Sequence, residues 1–200
     1  MLLWKDDGRN FGAISVALHA ITALFVITLL VLGFWAWLLD RSPVRSALLH
    51  THVSIGLTLM PIFLIRVAWR LRQGKRAVEY ANPWLRRLAD AVWRLLLVLI
   101  AMQLLSGPFL VWLHGRPMSY FGWIEIASPI AKDDRLHATL MQPLHLATGL
   151  LLAAALALHV LGAFKHLLID RDGVTEGMFR FVRNEAANGP AQAASQKEMA

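Results

Sequence analysis

His145 and His159 stand fourteen residues apart in a stretch, residues 136–164, that contains no Lys, Arg, Asp or Glu. Fourteen residues make almost four turns of α-helix, so both imidazoles point the same way, roughly 21 Å apart along the axis. That is most of the ~30 Å depth of a bilayer's hydrocarbon core. Ionisable side chains are costly there and mark function. His19 and His52 occupy two further apolar stretches. Two imidazoles facing each other across a helix bundle are what a six-coordinate b-type haem needs. The porphyrin supplies four nitrogens and the histidines close the axial positions. Ligation by two histidines leaves no open site for oxygen and favours electron transfer.

Placing histidines at two depths requires helices that cross a membrane. The 200 residues suit one domain, 57% are hydrophobic and only 16% charged, and mean hydropathy is +0.52. This is a membrane composition. Four runs lack Lys, Arg, Asp and Glu: 11–39, 46–65, 95–113 and 136–164. About 20 residues suffice to span. The first run is too long for a signal-peptide core and reads as a retained span. The net charge of +7 does not indicate nucleic acid, because the basic residues flank apolar runs. Cysteine is absent, which excludes thiolate-held clusters and thioether-attached haem on this chain.

Lys and Arg in the loops set orientation. Eight lie between the second and third runs (Arg66, Arg70, Arg72, Lys75, Arg76, Arg86, Arg87 and Arg94), two before the first (Lys5 and Arg9), and five after the fourth (Lys165, Arg171, Arg180, Arg183 and Lys197). Only Arg41, Arg45, Arg116, Lys132 and Arg135 fall on the other side. The expected fold is therefore an all-α, integral-membrane four-helix bundle over residues 1–180 with both termini cytoplasmic. Residues 181–200 read as a disordered cytoplasmic tail. Depth then pairs His19 with His159 in the inner leaflet and His52 with His145 in the outer one. The expected cofactors are two haems b, with these four residues as the axial iron ligands.

The other histidines read differently. His50 faces away from His52, and His114 and His166 fall in the headgroup zone. His137, eight residues before His145, is the competitor for the outer site. Gly56, Gly149 and Ala155, each four residues from a paired histidine, either admit the macrocycle or ease helix packing. Arg66 and Arg70 either snorkel to headgroups or pair with haem propionates, and snorkelling is the simpler expectation. The aromatic segment Tyr120, Phe121, Gly122, Trp123 lies in the longer outer loop.

Several segments together carry a resemblance. They are Ser15-Val16-Ala17-Leu18-His19, His52-Val53-Ser54-Ile55-Gly56, Arg66-Val67-Ala68-Trp69-Arg70, and His145, His159 and His166 at spacings of 14 and 7, followed by Asp170 and Asp172-Gly173-Val174. The chain resembles the bacterial cytochrome b561 family, which is related to the b-type cytochrome subunits of nickel–iron hydrogenases. The resemblance covers about residues 10 to 180. It implies a four-helix membrane cytochrome with two haems b exchanging electrons with quinone, and it puts the ligands on His19, His52, His145 and His159. Gln142-Pro143 departs from the pattern, and Pro in a first helical turn is tolerated.

The leading expectation is a dihaem electron carrier or quinone-linked oxidoreductase of the bacterial inner (plasma) membrane. It would link the quinone pool to a periplasmic donor or acceptor. A membrane-anchor cytochrome subunit of a larger dehydrogenase or hydrogenase is the alternative. A haem-free, histidine-based transporter or proton relay is the alternative of another class. Expected partners are lipid, quinone and a periplasmic or membrane redox protein, with a homodimer left open and no nucleic acid. Reporter fusions at the C-terminus and within residues 72–85 should both read cytoplasmic. A periplasmic signal from either would overturn the leaflet assignments.

Overall fold

The computed structural model describes residues 4–6, 11–73 and 83–170. The tail expected beyond residue 180 lies outside the described residues. Four helices are long and apolar enough to cross a membrane. They are α1 (Ala13–Leu38), α2 (Pro43–Arg72), α3 (Pro83–Leu113) and a fourth, α4, that runs as one helical rod through Asp134–Asp170. Large apolar side chains point outward throughout. Leu24 is 64% exposed, Leu105 64% and Leu161 65%. Such a surface suits hydrocarbon and not water. The chain is a multi-pass membrane protein.

Helix ends are set by local chemistry. Ser42 caps α2 by accepting from the Arg45 N–H at 3.2 Å, and Pro43 follows at the first helical position. Arg45 Nε in turn donates to the Ala36 carbonyl at 3.1 Å, which satisfies an end group of α1. Asp133 caps α4 through the Leu136 N–H at 2.9 Å. Within α4, His137–Met141 forms a π-helical turn that ends just before Pro143. Proline lacks an N–H and its ring crowds the carbonyl four residues back, so the widened turn relieves that crowding. A second π-helical segment, Lys165–Asp170, ends the rod.

α1 packs closely on α2, and α3 on α4, whereas contact between the two pairs is sparse. One apolar cluster crosses the seam at mid-height: Val26 of α1, Leu59 and Phe63 of α2, Leu99, Ile100 and Leu104 of α3, and Leu152 and Ala155 of α4. Call the end holding the start of α1 and the end of α4 the terminal face, and the opposite end the hairpin face.

The hairpin face carries the one departure from an all-helical chain among the described residues. Strands β1 (Met118–Tyr120) and β2 (Ile124–Ile126) pair antiparallel, with Tyr120 opposite Ile124. The turn puts Phe121 at φ 50° and Gly122 at φ 77°. Glycine takes that conformation freely and phenylalanine does not. What holds Phe121 is Ser54 of α2, which is 2% exposed. Its Oγ accepts from the Phe121 N–H at 2.9 Å and reaches the Ser119 carbonyl at 3.2 Å. The Tyr120 hydroxyl meets Thr58 Oγ1 at 3.2 Å.

Ser54→Ala leaves the Phe121 N–H without its acceptor, at a cost of about 1–3 kcal/mol. The expected outcome is a lower melting temperature and faster proteolytic cutting between residues 118 and 126. Unchanged cutting would mean that the hairpin is held by other contacts.

Candidate functional site

The four histidines gather in two pairs, and each pair bridges the seam. His19 of α1 faces His159 of α4 with ring centroids 6.3 Å apart and planes at 66°. His52 of α2 faces His145 of α4, again at 6.3 Å, with planes at 75°. The apolar cluster lies between them, since Leu152 sits seven residues from His145 and seven from His159. The spacing can be compared with ligation of one metal ion from opposite sides. With metal–nitrogen bonds of about 2 Å and about 1.1 Å from nitrogen to ring centre, the centroids would stand about 6.2 Å apart. Both pairs match that separation.

Among the described residues, two of the four rings have a hydrogen-bonding partner at Nδ1. His145 Nδ1 lies 2.8 Å from the hydroxyl of Ser106 on α3. His19 Nδ1 lies 2.9 Å from an Arg66 guanidinium nitrogen. His52 Nδ1 is buried without a hydrogen-bond partner among the described residues. Among the described residues no hydrogen bond reaches Nε2 of any of the four. Fixing one imidazole nitrogen to orient the other is the usual arrangement around a metal-binding histidine.

Arg66 points into the bundle and not along the snorkelling path to the headgroups. Arg66 turns inward to His19, because a guanidinium at this depth needs a polar partner. Arg70 lies 4.0 Å from Asp6, whose carboxylate also accepts from the Gly12 N–H at 2.8 Å. Trp69 Nε1 donates to Ser15 Oγ at 2.9 Å, joining α1 to α2 at the terminal face.

Of the small residues near the histidines, Gly149 makes room for a side chain of α3. A Cβ on Gly56 would meet Leu29 at 3.9 Å, and one on Gly149 would meet Gln103 Nε2 at 2.9 Å. Ala155 belongs to the apolar cluster. The glycines that lie against the paired histidine rings are elsewhere. A Cβ on Gly33 of α1 would stand 3.2 Å from His52 Cε1, and one on Gly107 of α3 would stand 3.7 Å from His145 Cε1. Gln103, Ser106, Gly107 and Gly33 were not singled out from sequence. The signal that marks the first two is their polarity inside the uncharged run 95–113. Gln103 donates to the His145 carbonyl at 2.8 Å and to Thr148 Oγ1 at 3.2 Å.

The remaining histidines stay apart from both pairs. His137 packs against His114 with centroids 4.9 Å apart, and His114 Nδ1 is 3.9 Å from Asp134. His50 is exposed. His166 Nδ1 lies 3.4 Å from Asp170, which Lys165 also contacts.

A four-helix membrane protein with histidines paired across its seam has the architecture of a membrane cytochrome. The model of the family described as prokaryotic cytochrome b561 matches residues 10–181, which take in all four spans. Cytochrome b561 homolog 2 of Escherichia coli (strain K12) is 28% identical over 183 residues, 88% of this chain and 94% of that one. The chain belongs to the prokaryotic cytochrome b561 family. Membership implies b-type haem binding and electron transfer, and sets aside the haem-free transporter.

Gly149→Ala should push the Gln103 carboxamide off its two acceptors and lower thermal stability, at a cost of about 1–3 kcal/mol. Adding Gln103→Ala to that variant should cost little more, because the bonds are already lost. Additive losses in the melting temperatures would place the role of Gly149 elsewhere.

Proposed function

We propose that the chain is a dihaem b-type cytochrome of the bacterial inner membrane that carries electrons between the quinone pool and a donor or acceptor on the periplasmic side. The observation that carries this reading is the 6.3 Å separation repeated at two levels of one bundle. His19 with His159 would hold one haem b, and His52 with His145 the other. When bound, haem b supplies a one-electron iron couple at each level. The Lys and Arg asymmetry supports cytoplasmic termini, so the His19–His159 pair belongs to the inner leaflet.

The protein's task is to present neutral imidazoles with the lone pair on Nε2. Ligation there leaves the proton on Nδ1. At His145, Ser106 Oγ accepts that proton's hydrogen bond. At His52, Nδ1 is buried without an acceptor among the described residues. At His19 the partner is Arg66, which can only donate. The guanidinium therefore has to leave Nδ1 when Nε2 becomes a ligand. Its charge is then free to pair with a carboxylate, and haem propionates provide one. The Leu152 and Ala155 layer keeps water and polar groups from between the two levels.

The test is haem stoichiometry in single variants. His19→Ala and His159→Ala should each leave about one haem per chain with matching spectra. His52→Ala and His145→Ala should form the other matching set, since losing an axial ligand removes or opens a site. A match between His19→Ala and His145→Ala would break the pairing. A harmless His145→Ala with a damaging His137→Ala would move the outer ligand to His137.

A further inference from the structure

The two histidine levels share one geometry and differ in what stands behind the rings. Behind His19 stands a cation. Arg66 Nη2 lies 2.9 Å from His19 Nδ1, and its charge acts on the ring of His159 as well. No Lys, Arg, Asp or Glu side chain acts in this way on His52 or His145 among the described residues. What stands behind His145 is neutral. Ser106 Oγ is 2.8 Å from its Nδ1, and the serine is 5% exposed. Among the described residues this hydroxyl is the one side-chain acceptor hydrogen-bonded to a paired ring. Gln103 of the same helix donates to the His145 carbonyl at 2.8 Å, so α3 holds the ring and the backbone of that ligand together.

Both differences bear on one quantity, the ease of reduction. Reduction adds one negative charge to a level, so a fixed cation beside it favours the reduced form. Ligation through Nε2 leaves Nδ1–H as a donor. An acceptor there makes the imidazole more basic and favours the oxidised form. Arg66 thus raises the reduction potential at its level, and Ser106 lowers it at the other. The two effects widen the same gap. Haem propionates do not cancel it, because they accompany both groups alike. Arg66 is fixed to α2, so its charge stays at that level when the guanidinium turns off Nδ1.

We infer that Arg66 and Ser106 make the two sites unequal, the His19–His159 site being the more readily reduced and the His52–His145 site the less. Ser106 acts through the ring of His145, and Arg66 acts through its charge. This rests on the dihaem reading. It adds an order that the ring spacing, 6.3 Å in both pairs, does not give.

The test is an equilibrium redox titration of the purified holoprotein in lipid nanodiscs, followed by visible absorption, with haem content measured on the same sample. Two haems per chain should titrate in two separate one-electron steps. His19→Ala, which keeps the His52–His145 site, should retain the lower step, and His52→Ala the upper one. Arg66→Gln should weaken reduction at the upper step about tenfold, which is about 59 mV for one electron, and leave the lower step in place. Arg66→Lys, which keeps the charge, should hold the wild-type value. Ser106→Ala should favour reduction at the lower step about fivefold, and Ser106→Thr, which keeps the hydroxyl, should not. A merely structural role would not separate the variants that keep the charge or the hydroxyl from those that lose it. Two haems per chain with coincident steps, or the upper step surviving in His19→Ala, would overturn the order and leave the dihaem reading standing. So would Arg66→Gln and Ser106→Ala with both steps unmoved. One haem per chain in the wild-type protein would overturn the dihaem reading, and the order with it.

Discussion

An imidazole buried in hydrocarbon must find a polar partner, and four of them must do so here at two levels. The cost of an unpaired polar group in a dry interior is about 1–3 kcal/mol each by protein measurements. The bundle meets this demand asymmetrically. It supplies a partner to Nδ1 of His145 in Ser106 and to Nδ1 of His19 in Arg66, and among the described residues no hydrogen bond reaches Nε2 of either ring. On the dihaem reading, what the facing rings still require is a shared metal centre, and Arg66 has to release Nδ1 of His19 for that ring to meet it.

That requirement explains the uneven packing. Each helical hairpin is tight within itself, and the seam between hairpins is loose except at the central apolar cluster. A uniformly close bundle would press opposing rings together and close the space between them. The cluster does two jobs at once. It fastens the hairpins to each other, and it separates the two histidine levels with Leu59, Phe63, Leu99 and Leu152. Glycine appears where a ring must lie against a neighbouring helix, as at Gly33 beneath His52. The hairpin of Met118–Ile126 closes the opposite flank by docking on Ser54, so its strained turn is held by a side chain from the same helix that carries His52.

Much of this is legible in the sequence, for physical reasons. Charge is excluded from hydrocarbon, so the four uncharged runs mark the four spanning helices, three of which extend past their runs, by as much as twelve residues at the start of α3. Depth follows from position along a span, so the partners of His19 and His52 follow from topology. What the sequence does not reveal is anything that depends on how helices rotate against each other. The inward turn of Arg66 depends on the rotation of α2. The service of Gly149 to Gln103, and of Gly33 to His52, depends on which helix lies opposite. α3 carries none of the paired histidines, so the sequence ties Gln103 and Ser106 to no site, although they are polar in an apolar run. The β-hairpin was missed because strands of three residues leave almost no alternating pattern to read.

The central claim is that two sites of one kind, each closed by two imidazoles, sit in one chain. Electron paramagnetic resonance of the fully oxidised, purified protein examines both iron centres at once. The account predicts two low-spin ferric signals of equal intensity that integrate to two irons per chain, with no high-spin component. One low-spin signal integrating to one iron, or a high-spin signal from an iron with an open axial position, would contradict it.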